Sequence, residues 1–149
     1  RSPTLADMTE AALKVLDRDP DGFFLMVENK GSDTYALRNG DREAIVAEML
    51  AFDDALGVGL EYQSRNPGTL ILALATHETG GIHLLVDDDR NLVLENGTGS
   101  ATGVRVPIFA IGPGAERFGG LIDNDEVGRA LLDLLRAARA VRPNPDERP

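Results

Sequence analysis

The chain has 149 residues, 42% of them hydrophobic and 27% charged, with no cysteine and a formal net charge of −10. That length suits one domain able to bury about two thirds of its unfolded surface, and no apolar run approaches what a bilayer crossing needs. The acidic balance disfavours nucleic acid and anionic membranes as partners, the lack of cysteine excludes disulfides and thiolate metal sites, and with only two histidines any metal site must rest mostly on carboxylates.

Residues 4–17 read as a helix. Thr4 can cap it with Asp7 at the third position, and Leu5, Met8, Ala12, Leu13 and Leu16 recur at helical spacing. Asp19-Pro20-Asp21-Gly22 is a turn. Residues 23–27 (FFLMV) read as a buried strand with Glu28 at its carboxyl end. Residues 29–40 carry no periodicity and read as a loop closed by Asn39-Gly40. Asp41 then caps a long helix over 42–63, with an apolar stripe of Ile45, Met49, Phe52, Leu56 and Leu60.

The stretch 69–81 (TLILALATHETGG) organises the rest. Its apolar run, 70–75, predicts a strand buried on both faces, and the chain then turns abruptly polar at Thr76, His77, Glu78 and Thr79 before Gly80-Gly81. Strand, long helix and strand form a crossover unit, so 23–27 and 69–75 are expected to run parallel. Ligands sit beyond the carboxyl ends of such strands, where Glu28 and His77 would be neighbours.

Residues 82–86 and 92–94 flank an acidic tip, Asp87-Asp88-Asp89, and predict a small hairpin in which His83 points outward. The tip lacks the glycine and trailing glutamate of an EF-hand and reads as a solvated turn. Residues 96–103 are a Gly/Ser/Thr-rich loop. Residues 104–111 predict another strand, with Pro107 marking an edge or bulge. A final helix begins near Asp123 or Asn124 and carries Val127, Ala130, Leu131, Leu134 and Leu135 on one face. Residues 142–149 (RPNPDERP) read as a disordered tail, which leaves 1–141 as one domain segment. The chain opens Arg1-Ser2-Pro3-Thr4, with no basic segment and apolar run of the signal-peptide kind.

Four stretches in order resemble the alkaline phosphatases, over the C-terminal part of that family. They are 3–13 (PTLADMTEAAL), 22–28 (GFFLMVE), His77-Glu78-Thr79-Gly80-Gly81, and 107–123 (PIFAIGPGAERFGGLID). The resemblance implies an α/β fold. It would have a largely parallel sheet flanked by helices, here a partial domain with a small β-hairpin insertion. It implies a phosphomonoester hydrolase with two zinc ions and one magnesium, a serine nucleophile upstream of this segment, and a periplasmic or secreted location.

Carried over position by position, Glu28 falls on the magnesium ligand, Asp33 on a carboxylate ligand of the first zinc, and His77 on a ligand of the second. Leu37, Thr76 and Ala101 stand where the family has a histidine, an aspartate and a histidine. Asn29-Lys30 replace residues that are usually small. Leucine and alanine offer no lone pairs, and one carboxylate does not hold zinc against water. Magnesium keeps much of its water shell, so its site is the one expected to survive.

Each candidate also has a plainer reading. Glu28 is a ligand or a solvated strand-end carboxylate, Asp33 a ligand or a turn residue, and His77 a ligand or a hydrogen-bonded structural histidine. Glu78 is expected to support the turn. Two functional readings follow: a metal-dependent hydrolase segment inactive through its replaced zinc ligands, and a non-catalytic pseudoenzyme or engineered scaffold kept for folding or partner binding. Half of a sheet would expose open edges, so a homodimer or a companion chain supplying the N-terminal segment is expected.

Overall fold

A computed structural model describes residues 2–38, 41–95 and 97–140. The expected tail over 142–149 and the Asn39-Gly40 turn lie outside the described residues.

Local chemistry fixes both ends of the first layer. Helix α1 spans Leu5–Leu16. The Thr4 hydroxyl accepts the Asp7 N–H at 3.0 Å, and the Asp7 carboxylate accepts the Thr4 N–H at 2.9 Å. Two otherwise unpaired donors of the first turn are satisfied reciprocally. Helix α3 spans Arg42–Arg65, and the Asp41 carboxylate accepts the Ala44 N–H at 3.1 Å. The two helices pack on one another.

The buried line along α3 runs through Ile45, Glu48, Phe52, Ala55, Gly59 and Tyr62, at alternating steps of three and four. This corrects the expected stripe at two places: Met49 is 52% exposed and Leu60 40%. The stripe is rotated because Glu48 is drawn inward by Asn29, whose amide donates to the Glu48 carbonyl at 2.7 Å and to its carboxylate at 3.2 Å.

At the far end of the pair, the Tyr62 hydroxyl donates to the Asp17 carboxylate. The Phe23 ring meets that of Tyr62 at a centroid distance of 5.9 Å and a 60° tilt. The bond to Asp17, with some burial and the carboxylate's charge, pushes the Tyr62 phenol up from 10.0 to about 12. A folded value above the unfolded one means a contribution to stability that is whole below pH 10 and lost as pH climbs through 12. Tyrosinate absorbance should show an ionisation step near pH 12 that Tyr62→Phe abolishes. Its persistence in that variant would refute the Tyr62–Asp17 bond.

Residues 29–40 depart from the expected loop. Helix α2 spans Gly31–Arg38. The Asn29 side chain accepts the Ser32 N–H at 3.2 Å, and Ala36, 1% exposed, is buried as α2 packs on α3. The helix is short and weakly amphipathic, so tertiary packing and a capping asparagine hold it.

The sheet expectation is corrected more substantially. Three two-stranded ladders form, and all are antiparallel. Strand β1, Ile71–Leu74, pairs with β6, Ile108–Ile111, in the register Ile71↔Ile111 to Leu74↔Ile108. Strand β2, Glu78–Thr79, pairs with β5, Ala101–Thr102. Strands β3, His83–Val86, and β4, Leu92–Glu95, form the expected hairpin, with His83 exposed. No parallel ladder occurs among the described residues.

Residues 23–27 alternate in burial as a strand does: Phe23, Leu25 and Val27 are half-buried, while Phe24 is 61% and Met26 76% exposed. They nevertheless join no ladder. Period-2 alternation states which face a side chain takes and is silent on the neighbouring strand. Strand β1 is also less enclosed than expected, since Leu74 is 41% exposed.

The hairpin tip is held by Asp87, whose carboxylate accepts the Asn91 N–H at 2.7 Å and its side-chain amide at 3.2 Å. Those bonds hold the Asp87 carboxyl below the ordinary aspartate range. The neck of the hairpin is closed by glycines. The Gly97 N–H reaches the Gly80 and Gly81 carbonyls at 3.0 and 3.2 Å, and the Thr98 N–H reaches Gly80 at 2.9 Å. Gly80 and Gly81 take φ of 79° and 59°, the left-handed region that side chains disfavour.

After β6, Gly112 turns the chain into a single 3₁₀ turn, Ala115–Phe118. Helix α4, Asn124–Ala140, follows, with Val127, Ala130, Leu131 and Leu134 inward and Leu135 exposed. The buried hydrophobic residues are few and mostly small, and Phe118 is the largest of them.

Candidate functional site

Strand β1 delivers its carboxyl end to a bend at Ala75, Thr76 and His77, and β2 follows at once. Helix α2 opens just after Glu28 and presents Asp33 from its first turn. The two elements meet through Thr79. Its hydroxyl donates to Asp33 Oδ1 at 2.9 Å and lies 3.2 Å from His77 Nδ1. His77 Nδ1 is also 3.0 Å from the Glu78 carbonyl oxygen.

On the other side, Thr79 pairs with Ala101 across the β2–β5 ladder. Asp33, His77 and Ala101, far apart in sequence, therefore gather about one threonine. Thr76 is exposed in the bend beside them. Leu37, 38% exposed, follows Ala36, whose carbonyl faces Gly80 at the close of the same strand pair. Glu28 is exposed at the end of the extended segment and shares no hydrogen bond with His77.

Glu78 supports the turn. Its carboxylate accepts the Thr102 hydroxyl and, at 3.2 Å, the Ile82 N–H. The Thr102 bond, with backbone N–H groups behind it, outweighs desolvation and holds the Glu78 carboxyl below its ordinary value. Three connections escape a reading of the sequence alone: Thr79 as a bridge, Glu78 with Thr102, and Asn29 with Glu48. Only the last leaves a signal, an asparagine just ahead of a helix start.

As a donor set for zinc the cluster falls short. Zinc takes four nitrogen, sulfur or oxygen ligands, three of them protein side chains even in open catalytic sites. Asp33 keeps free lone pairs beside its bond to Thr79 and His77 keeps Nε2, but Leu37 and Ala101 carry no donor atom, which leaves two candidate ligands here. Among the described residues no three histidine, aspartate or glutamate side chains come together to hold a metal ion.

A family model described as alkaline phosphatase matches residues 1–95. The chain belongs to the alkaline phosphatase family. It is 26% identical to alkaline phosphatase 3 of Bacillus subtilis over 206 residues, covering 90% of this chain and 44% of that relative. It is 33% identical to the streptomycin-6-phosphate phosphatase of Streptomyces griseus over 167 residues, covering 95% of this chain and 36% of the other. Both matched spans exceed the 149 residues of the chain, so these alkaline phosphatase relatives carry extra residues inside them.

Among solved structures, a variant alkaline phosphatase of the Antarctic bacterium TAB5, with Mg bound in its M3 site, superimposes with a TM-score of 0.81 at 29% identity. It covers 89% of this chain and 41% of that one. The chain thus spans less than half the length of these alkaline phosphatases. No described helix is long and apolar enough to cross a membrane.

Proposed function

We propose that residues 1–141 form the C-terminal segment of an alkaline phosphatase-like phosphomonoester hydrolase whose zinc positions are dismantled, leaving it non-catalytic as it stands. Glu28 occupies the magnesium position and remains the one competent ligand there. Asp33, Leu37 and Ala101 occupy the first zinc position, and Thr76 and His77 the second. The single observation that supports this reading is the gathering of Asp33, His77 and Ala101 about Thr79, with side chains that lack donors standing next to ones that have them.

The parent activity would take a phosphomonoester, and zinc and magnesium would supply electrostatic stabilisation of the attacking and leaving oxygens. In this chain the residues at hand position backbone and hydrogen bonds only, and no chemical step runs through Leu37, Thr76 or Ala101. The solitary strand-like segment 23–27, with Phe24 and Met26 exposed, supports a companion, a homodimer mate or a chain carrying the N-terminal segment. Its strands would complete a largely parallel sheet and cover Phe24 and Met26. Location in the periplasm or outside the cell follows from family membership as part of the same proposal.

The test is metal content after dialysis against zinc and magnesium, read by plasma mass spectrometry. The chain should retain no stoichiometric zinc, while the triple variant Leu37→His, Thr76→Asp and Ala101→His should retain it. Stoichiometric zinc in the unaltered chain would overturn the reading, and no gain in the triple variant would overturn the positional assignment.

A further inference from the structure

Asp33 and His77 come from elements 46 and two residues away from Thr79, and something must hold them together. A hydroxyl carries one proton and two lone pairs, whereas an ionised carboxylate only accepts. The Thr79 proton is therefore committed to Asp33 at 2.9 Å. The 3.2 Å contact with His77 must then run the other way, from Nδ1–H to the hydroxyl oxygen. The same N–H faces the Glu78 carbonyl at 3.0 Å, so it is shared between two acceptors. A neutral imidazole with Nδ1 protonated keeps its lone pair on Nε2.

We propose that Asp33–Thr79–His77 is a metal-independent clasp. Thr79 acts as a positioning residue that docks the first turn of α2 onto β2 and fixes the His77 tautomer, the cross-link a bound ion would otherwise supply. This rests on the reading that the zinc positions are dismantled.

The geometry carries two supports. Thr79 is fixed from its other side by the ladder with Ala101. The α2 helix is short and needs tertiary ties, and Asn29–Glu48 and Thr79–Asp33 both hold its N-terminal end.

The experiment uses the full chain. Nitrogen-15 NMR of the imidazoles in mildly alkaline buffer should find Nε2 of His77 unprotonated, and hydrogen exchange should find the amides of 31–38 protected. Thr79→Val keeps the β-branched shape and the ladder. It should speed exchange across α2 about tenfold, the worth of one charge-assisted hydrogen bond, and mix the His77 tautomers. Thr79→Ser should restore both readouts.

Neither chelator nor added zinc chloride should change the unaltered chain. An unprotonated Nδ1, or unchanged exchange in Thr79→Val, would sink the clasp while leaving the zinc assignment standing. Zinc-dependent protection of α2 together with stoichiometric zinc would sink both.

Discussion

Phe118→Ala is expected to lower the unfolding free energy by about 3–5 kcal/mol. Phe118 is 3% exposed and sits in the 3₁₀ turn that touches both β6 and α4. Among the described residues the other buried hydrophobic ones are two of leucine or isoleucine size and four alanines. Removing the one large ring strips away its transfer free energy and leaves a cavity between the turn, β6 and α4. Single domains hold only about 5–15 kcal/mol in total, so the loss consumes a large share. Urea unfolding reads it as a fall in midpoint at unchanged slope. A change under about 1 kcal/mol would mean that β6, the turn and α4 are not part of the cooperative unit.

Gly112→Ala should be of similar severity, at about 3 kcal/mol or more, for a backbone reason. Gly112 has φ of 107°, and a Cβ there would lie 2.1 Å from the Thr69 carbonyl oxygen and 3.1 Å from the Leu70 Cα. The obstacle is main chain, so no rotamer can relieve it. The chain must open where β1 and β6 come together, beside the Ile71↔Ile111 pair. Gly57→Ala is the control. It lies within α3 with nothing within 4 Å of the added carbon, and it should stabilise the helix by up to about 1 kcal/mol. Near-equal effects of the two substitutions in urea titrations would contradict the geometry at Gly112.

Elements governed by near neighbours were legible in the residues. The Thr4–Asp7 box and the Asp41 cap need only a few residues of context, and so does the hairpin around Asp87. Helix α2 was not legible, because its determinants are the burial of Ala36 on α3 and the reach of Asn29 to Glu48, both contacts across many residues. The parallel pairing of 23–27 with 69–75 does not occur among the described residues, for a different reason. Apolar alternation reports faces, and the partner of an edge is chosen by whatever strand arrives beside it.

At the site, only the choice of Asp33, His77 and Ala101 as candidates was legible, and that through resemblance. The atom that joins them was not, since Thr79 reads as part of a turn until the β2–β5 register sets it opposite Ala101 and beneath α2. Likewise Glu78 reads as a turn residue and proves to be one, held by a hydroxyl 24 residues away.

The glycine neck at the base of the β3–β4 hairpin separates two kinds of change. Below it, β2 and β5 are held by their ladder, by the Thr79 bond to Asp33 and by the Thr102 bond to Glu78. Above it, the arm ends in a self-contained turn built on Asp87. Lengthening a loop costs only about 0.6 kcal/mol for each doubling. A lineage could thus graft residues into the arm or trim it while the base keeps its bonds. The relatives' longer matched spans need some such place. The neck behaves as a modular joint: residues added to or removed from the arm beyond it leave the bonds around Thr79 in place.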